Sequence, residues 1–226
     1  MELAIGLPLT NDLCHSTFLD SFVRMRKPAF TYLRPRLPCA APIDKVRNSL
    51  AAQAMESGCT HLLMMDTDQS YPPDTIEQLL CHAARGLDIV CAKVHRRYPP
   101  FDPLLLKHSE GDSQFLYETM SIHEWHNKDL VEVDATGCGC MLINMSVFDR
   151  IRPPWFEFRA DELPDGQLRL VGEDVSFCEK AKAAGIRIFV DASIKVGHIA
   201  AMMVTEETHF IHCKLQELAN KRSKDL

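Results

Sequence analysis

The chain has 226 residues, 46% hydrophobic and 25% charged, the make-up of an ordinary soluble globular protein with enough length for a substantial core. Its 31 acidic and 25 basic residues leave a net charge of −6, which excludes a general attraction for nucleic acid or anionic membrane. No window is long and apolar enough to span a bilayer, and MELAIGLPLT lacks the basic start of a signal peptide. Nine cysteines, an odd number without framework spacing, point to reduced thiols in a cytoplasmic protein.

Residues 3–9 read as a first strand closed by Pro8, and 16–26 as a helix with Phe18, Phe22 and Met25 on one face. Residues 29–33 are a second strand candidate, followed by the proline-punctuated loop 34–42. Ile43, Val46, Leu50 and Ala54 form the stripe of a helix that Gly58 stops. Residues 61–65 follow as a strand, then a helix from Pro72-Pro73 to Gly86, then a strand over 88–94. That alternation predicts parallel strands with crossover helices, an α/β class.

The pattern changes after position 94. Residues 95–135 lack helical periodicity and hold short strand candidates at 103–107, 114–118 and 130–133. Residues 134–144 read as a glycine-interrupted strand, where glycines mark close approach of a ligand or another backbone. A loop opens at 153, a helix runs from 171 to Gly185, and 186–190 alternates as a strand. A loop with Gly197-His198 precedes a C-terminal helix with Ile211, Leu215 and Leu218 in register.

The stretch His61-Leu-Leu-Met-Met-Asp-Thr-Asp68 carries the chemistry. Its apolar run predicts a strand buried on both faces, ending in two carboxylates where open α/β sheets bind ligands. If the backbone stays extended, Asp66 and Asp68 point the same way and share one divalent cation. Hard oxygen ligands of this kind suit Mg²⁺ or Mn²⁺, which recruit substrate phosphates as further ligands. The bland alternative is two solvated turn residues before a helix.

Five segments resemble, in order, the GT-A fold glycosyltransferases, and in particular small bacterial and phage-like members of the inverting family 2. They are Lys45-Val-Arg-Asn48, Leu62-Leu-Met-Met-Asp-Thr-Asp68, Ala135-Thr-Gly-Cys-Gly-Cys-Met141, Gly172-Glu-Asp-Val-Ser-Phe177 and Gly197-His198. The resemblance spans roughly residues 3–200 and is poorest over 95–130. It implies a single Rossmann-like GT-A domain over 1–226 with a mixed, mostly parallel sheet flanked by helices. Residues 1–94 would be the nucleotide-sugar and metal half, 95–200 the acceptor half, and 204–222 the C-terminal helix.

By that resemblance Asp68 is a direct metal ligand, Asp66 lies near the ribose or a metal-bound water, and His198 completes the shell around Mn²⁺ or Mg²⁺. Asp174 becomes the catalytic base, since inverting displacement needs one carboxylate opposite the leaving group. Glu173 binds an acceptor hydroxyl or is the base itself; both carboxylates also suit a helix start for dipole reasons alone. Arg47 is placed near the nucleotide. The Lys93-to-Arg97 cluster meets the diphosphate or the acceptor, or is a solvated strand end, with Lys93 taken as donor-binding. Trp155 and Phe156 form a sugar wall or part of the core.

The implied function is transfer of a sugar from a nucleotide-diphosphate sugar, UDP-linked by resemblance alone, to an acceptor hydroxyl with inversion. A retaining enzyme and a non-catalytic nucleotide-sugar or metal-binding module are the alternatives. Saccharides, lipid carriers, proteins and modified nucleobases all offer such a hydroxyl. Arg34, Arg36, Arg96 and Arg97 supply a local basic surface for a nucleic-acid acceptor.

Overall fold

The computed structural model describes residues 1–10, 13–109, 116–163 and 165–222. The first half alternates as expected: β1 (Leu3–Gly6), α1 (Ser16–Arg24), β2 (Phe30–Leu33), α2 (Ile43–Glu56) and β3 (His61–Met65). A two-residue strand β4 (Gln69–Ser70) then leads to α3 (Thr75–Ala83) and β5 (Ile89–Lys93). Next come β6 (Leu106–His108), β7 (Tyr117–Thr119), α4 (Ile122–Trp125), β8 (Leu130–Val133), β9 (Cys140–Asn144) and α5 (Ser146–Arg150). The last part holds β10 (Arg159–Glu162), β11 (Leu168–Val171), α6 (Glu173–Ala183), β12 (Ile188–Lys195), β13 (Gly197–His198) and α7 (Glu206–Arg222).

Seven strands form one sheet in the order β2-β1-β3-β9-β5-β12-β8. Five run one way; β9 is antiparallel to both β3 and β5, and β8 is antiparallel to β12. The sheet is therefore mixed and mostly parallel. Buried alternation along β3 explains its central place. Leu62 and Met64 face one core with α2 and α6, while Leu63 and Met65 face the other with α1 and α3. A strand covered by helices on both sides is apolar along its covered length, and β3 is so from Leu62 to Met65.

Several boundaries differ from the sequence reading. β3 and β5 are not neighbours, because β9 inserts between them. Cys140 to Ile143 are buried on both faces, so the apolar run of β9 carried no sign of its direction. Only 140–144 is strand; Gly137 and Gly139 lie in the approach to it. The candidates at 103–107 and 114–118 correspond to the hairpin β6–β7, with 114 and 115 outside the described residues. The hairpin β10–β11 escaped notice because its inward positions are mostly charged: Asp161 accepts from both Arg159 and Arg169. Helix α7 forms, yet Phe210, Ile211 and Leu215 are exposed; the side chain of Leu218 is outside the described residues.

Candidate functional site

The C-terminal ends of β1 and β3 open into a cleft of about 750 Å³ lined by Pro8, Thr10, Arg47, Asp66, Asp68, Arg97 and Glu173, among others. Extended backbone stops at Met65, and Thr67-Asp68 turn before β4. Asp66 and Asp68 therefore share the cleft but engage different cations. Arg47 Nη2 reaches Asp66 at 3.2 and 3.4 Å. Asp68 Oδ2 instead accepts from Arg97 Nη1 at 2.9 Å and faces His198 Nε2 at 3.4 Å.

Arg47 rises from α2 and is buried. Besides Asp66, its Nε donates to Glu173 at 3.1 Å and its Nη1 to the Cys138 carbonyl at 3.3 Å. Burial alone would lower its pKa, but the charges of Asp66, Glu173 and Asp174 outweigh burial and raise it. One guanidinium thus clamps α2, the end of β3, the glycine-rich approach to β9 and the start of α6.

His198 arrives from 130 residues along the chain by a short pairing, with Gly197 opposite Ser70 and His198 opposite Gln69. A Cβ on Gly197 would lie 2.6 Å from Ser70 Oγ, so any larger residue there would force the Ser70 side chain to move. The Ile199 amide then donates to the Asp68 carbonyl at 2.8 Å. The ring is oriented by its other nitrogen, Nδ1, which lies 2.6 Å from the His95 carbonyl and can only donate there. That leaves Nε2 of the neutral ring as a lone pair aimed at Asp68. Burial lowers the His198 pKa, but Asp68 outweighs it and the net shift is upward; burial likewise raises Asp68, and His198 and Arg97 bring it down.

Two acceptors facing each other at 3.4 Å need something positive between or beside them, and Arg97 or a proton on His198 supplies it here. A divalent cation could take that place, with the His95 carbonyl as the outer partner that fixes the histidine. Among the described residues no cluster of three His, Cys, Asp or Glu side chains is positioned to hold a metal. Asp68 and His198 alone could offer two donors, a number that Mg²⁺ or Mn²⁺ would complete with waters and phosphate oxygens.

Glu173 and Asp174 start α6 and diverge. Glu173 lines the cleft, tied to Arg47. Asp174 Oδ1 accepts from the Val175 amide at 2.8 Å, while an added Cβ on Gly137 would stand 3.6 Å from Oδ2. Among the described residues Asp174 has no salt-bridge partner. Burial, with the Glu173 charge beside it, lifts its carboxyl to about 6.

Other expected residues lie elsewhere. Lys93 does not line the cleft; it is buried with its ammonium 4.6 Å from the Trp125 ring centroid. Phe156 is core, stacked on Phe177 at 4.5 Å, and Trp155 packs edge-on to Phe148. Arg34 and Arg36 line a separate hollow that shares Thr10 with the cleft. The sequence reading passed over Gln69 and Tyr71, whose hydroxyl donates to the Asp66 carbonyl at 2.7 Å and lies 2.8 Å from that of Gly139. Only a buried polar pair straight after Asp68 hinted at them.

The mostly parallel sheet, its helical layers and a carboxylate cleft at the strand ends define the Rossmann-like GT-A class of fold. No protein-family model matches the sequence, and no curated protein matches it. Among solved structures the chain is similar to A197 from STIV, with a TM-score of 0.58 and 17% identity over 88% of this chain and 86% of that one. It is also similar to S. aureus TarS 1–349 in complex with UDP-GlcNAc, with a TM-score of 0.56 and 13% identity over 91% of this chain. It spans 60% of that TarS chain. At such identities the likeness is one of fold. Among the described residues no helix is long and apolar enough to cross a membrane.

Proposed function

We propose that this chain is a glycosyltransferase taking its sugar from a nucleotide-diphosphate donor, with UDP-sugars the first class to test. The observation that carries the reading is the meeting of Asp68 and His198 at 3.4 Å, with Asp68 lining the same cleft as Arg47 and Asp66. The UDP-GlcNAc bound to the similarly folded TarS supports the donor class.

Asp68 and His198 would hold Mn²⁺ or Mg²⁺, whose chemistry there is to neutralise the departing diphosphate. Arg47 fixes Asp66 and Glu173 so that neither carboxylate swings toward the donor's phosphates. Asp174 is the base. Its carboxylate takes the proton of the acceptor hydroxyl as that oxygen bonds to the anomeric carbon. The bond from that carbon to the phosphate oxygen breaks on the other side, and the nucleoside diphosphate leaves with the electron pair. One base opposite the leaving group gives inversion. An elevated carboxyl pKa suits this role, because a base works best when its pKa lies near the working pH.

Thermal-shift screening of UDP-, GDP-, CDP- and dTDP-sugars with Mn²⁺ tests the reading. Metal-dependent stabilisation by one nucleotide class, lost in Asp68→Ala, is the expected result. A flat response across the panel counts against it.

A further inference from the structure

Arg97 and His198 converge on the same oxygen, Asp68 Oδ2, at 2.9 and 3.4 Å. Arg97 sits on a short loop closed at its base by the Arg96 amide to the Asp102 carbonyl at 2.9 Å and by the pairing of His95 with Pro103. The backbone is thus pinned, while the side chain is 48% exposed and lines the cleft. Arg47 is itself buried and has two carboxylate partners that hold it in place, half-buried Asp66 and buried Glu173; Asp68 is the one salt-bridge partner of Arg97 among the described residues.

We infer, on the proposed donor and metal reading, that Arg97 is a donor-diphosphate residue and that its pairing with Asp68 competes with a cation for the same oxygen. The oxygen nearest His198 Nε2 cannot serve a divalent cation well while a guanidinium lies on it, since like charges that close repel. A cation on Asp68 would release Arg97, and a diphosphate entering the cleft that Arg97 lines would accept its fork of N–H donors. Metal and nucleotide then bind cooperatively. Each removes an obstacle or supplies a partner for the other, so the cation binds weakly alone and tightly with UDP.

The test is titration of Mn²⁺ into wild type and Arg97→Ala, without and with saturating UDP, followed by calorimetry or by the electron spin resonance of free Mn²⁺. Loss of an exposed ion pair of this kind should tighten Mn²⁺ binding without nucleotide by roughly fivefold. UDP affinity in Mn²⁺ should fall by about tenfold, the cost of one charge-assisted hydrogen-bonded contact. Arg97→Lys, which keeps charge without the fork, should recover part of the UDP affinity. Unchanged Mn²⁺ affinity in Arg97→Ala, with wild type binding Mn²⁺ in the presence of UDP, overturns the exchange alone. Wild type that binds no Mn²⁺ even with UDP overturns the metal reading, and the exchange with it.

Discussion

Arg47 and Glu173, 126 positions apart in the chain, are joined Nε to Oε1 at 3.1 Å in the interior. The same guanidinium holds Asp66, so a single side chain from α2 fixes both acidic ends of the candidate site. Arg47→Ala leaves Glu173 and Asp66 close together without a counter-charge. Breaking such a buried network should cost roughly 3–5 kcal/mol in urea unfolding. Arg47→Met combined with Glu173→Gln removes the buried pair and leaves only half-buried Asp66 without its partner, so it should recover part of that loss. A double variant as unstable as Arg47→Ala would show that packing, not charge, sets the cost.

Gly139 lies where β9 meets the turn after β3. A Cβ there would stand 2.2 Å from Gln69 Nε2, and Gln69 is buried beside Tyr71. Gly139→Ala should destabilise the fold by roughly 1–3 kcal/mol, as overpacking of a filled interior does. Displacing Gln69 also disturbs the Tyr71 hydroxyl that braces the Asp66 carbonyl, so donor affinity should fall with stability. A variant with wild-type stability would remove the close-approach role of this glycine.

Asp174 sets the pH dependence of transfer. With its carboxyl near 6, activity should rise as pH increases through about 6 and level off above. The stability sign is the reverse. Between its ordinary value of 3.8 and about 6 the folded state binds the proton more tightly than the unfolded chain. This group's contribution therefore declines as pH rises through that window. Asp174→Asn keeps the hydrogen bond to the Val175 amide and loses the charge, so its melting temperature above pH 6 should equal or exceed wild type. Transfer should drop by roughly 10²–10⁴-fold, the usual contribution of a general base. Normal transfer by this variant removes Asp174 as the base and directs attention to Glu173→Gln.

His198→Ala separates a metal ligand from a packing residue. Weakened Mn²⁺ affinity with partial rescue of donor binding at high Mn²⁺ is the expected outcome. A lowered melting temperature without rescue assigns the ring to the β4–β13 contact instead.

Much of this was legible from local pattern. The β3 run with its two carboxylates, the α2 stripe and the Glu173-Asp174 helix start are each written within a dozen residues. Long-range pairings were not. Nothing around Asp68 announces that Arg97 will hold it, and nothing around Lys93 announces that Trp125 will cover it. The direction of β9 was hidden because strands buried on both faces are apolar whichever way they run. The extended geometry assumed for Asp66 and Asp68 failed because Thr67-Asp68 turn before β4, which pairs with the distant Gly197-His198. The hairpin β10–β11 was invisible to hydrophobic periodicity because Arg159, Asp161 and Arg169 take three of its inward positions and Val171 alone is a buried apolar one.

The most direct measurement is release of nucleoside diphosphate from sugar nucleotides by the wild-type protein with Mn²⁺ and no added acceptor, water taking the acceptor's place. Slow, metal-dependent release from one donor class is predicted, abolished by Asp68→Ala and strongly reduced by Asp174→Asn. No release from any donor in the panel, by protein shown to be folded, would contradict a glycosyltransferase.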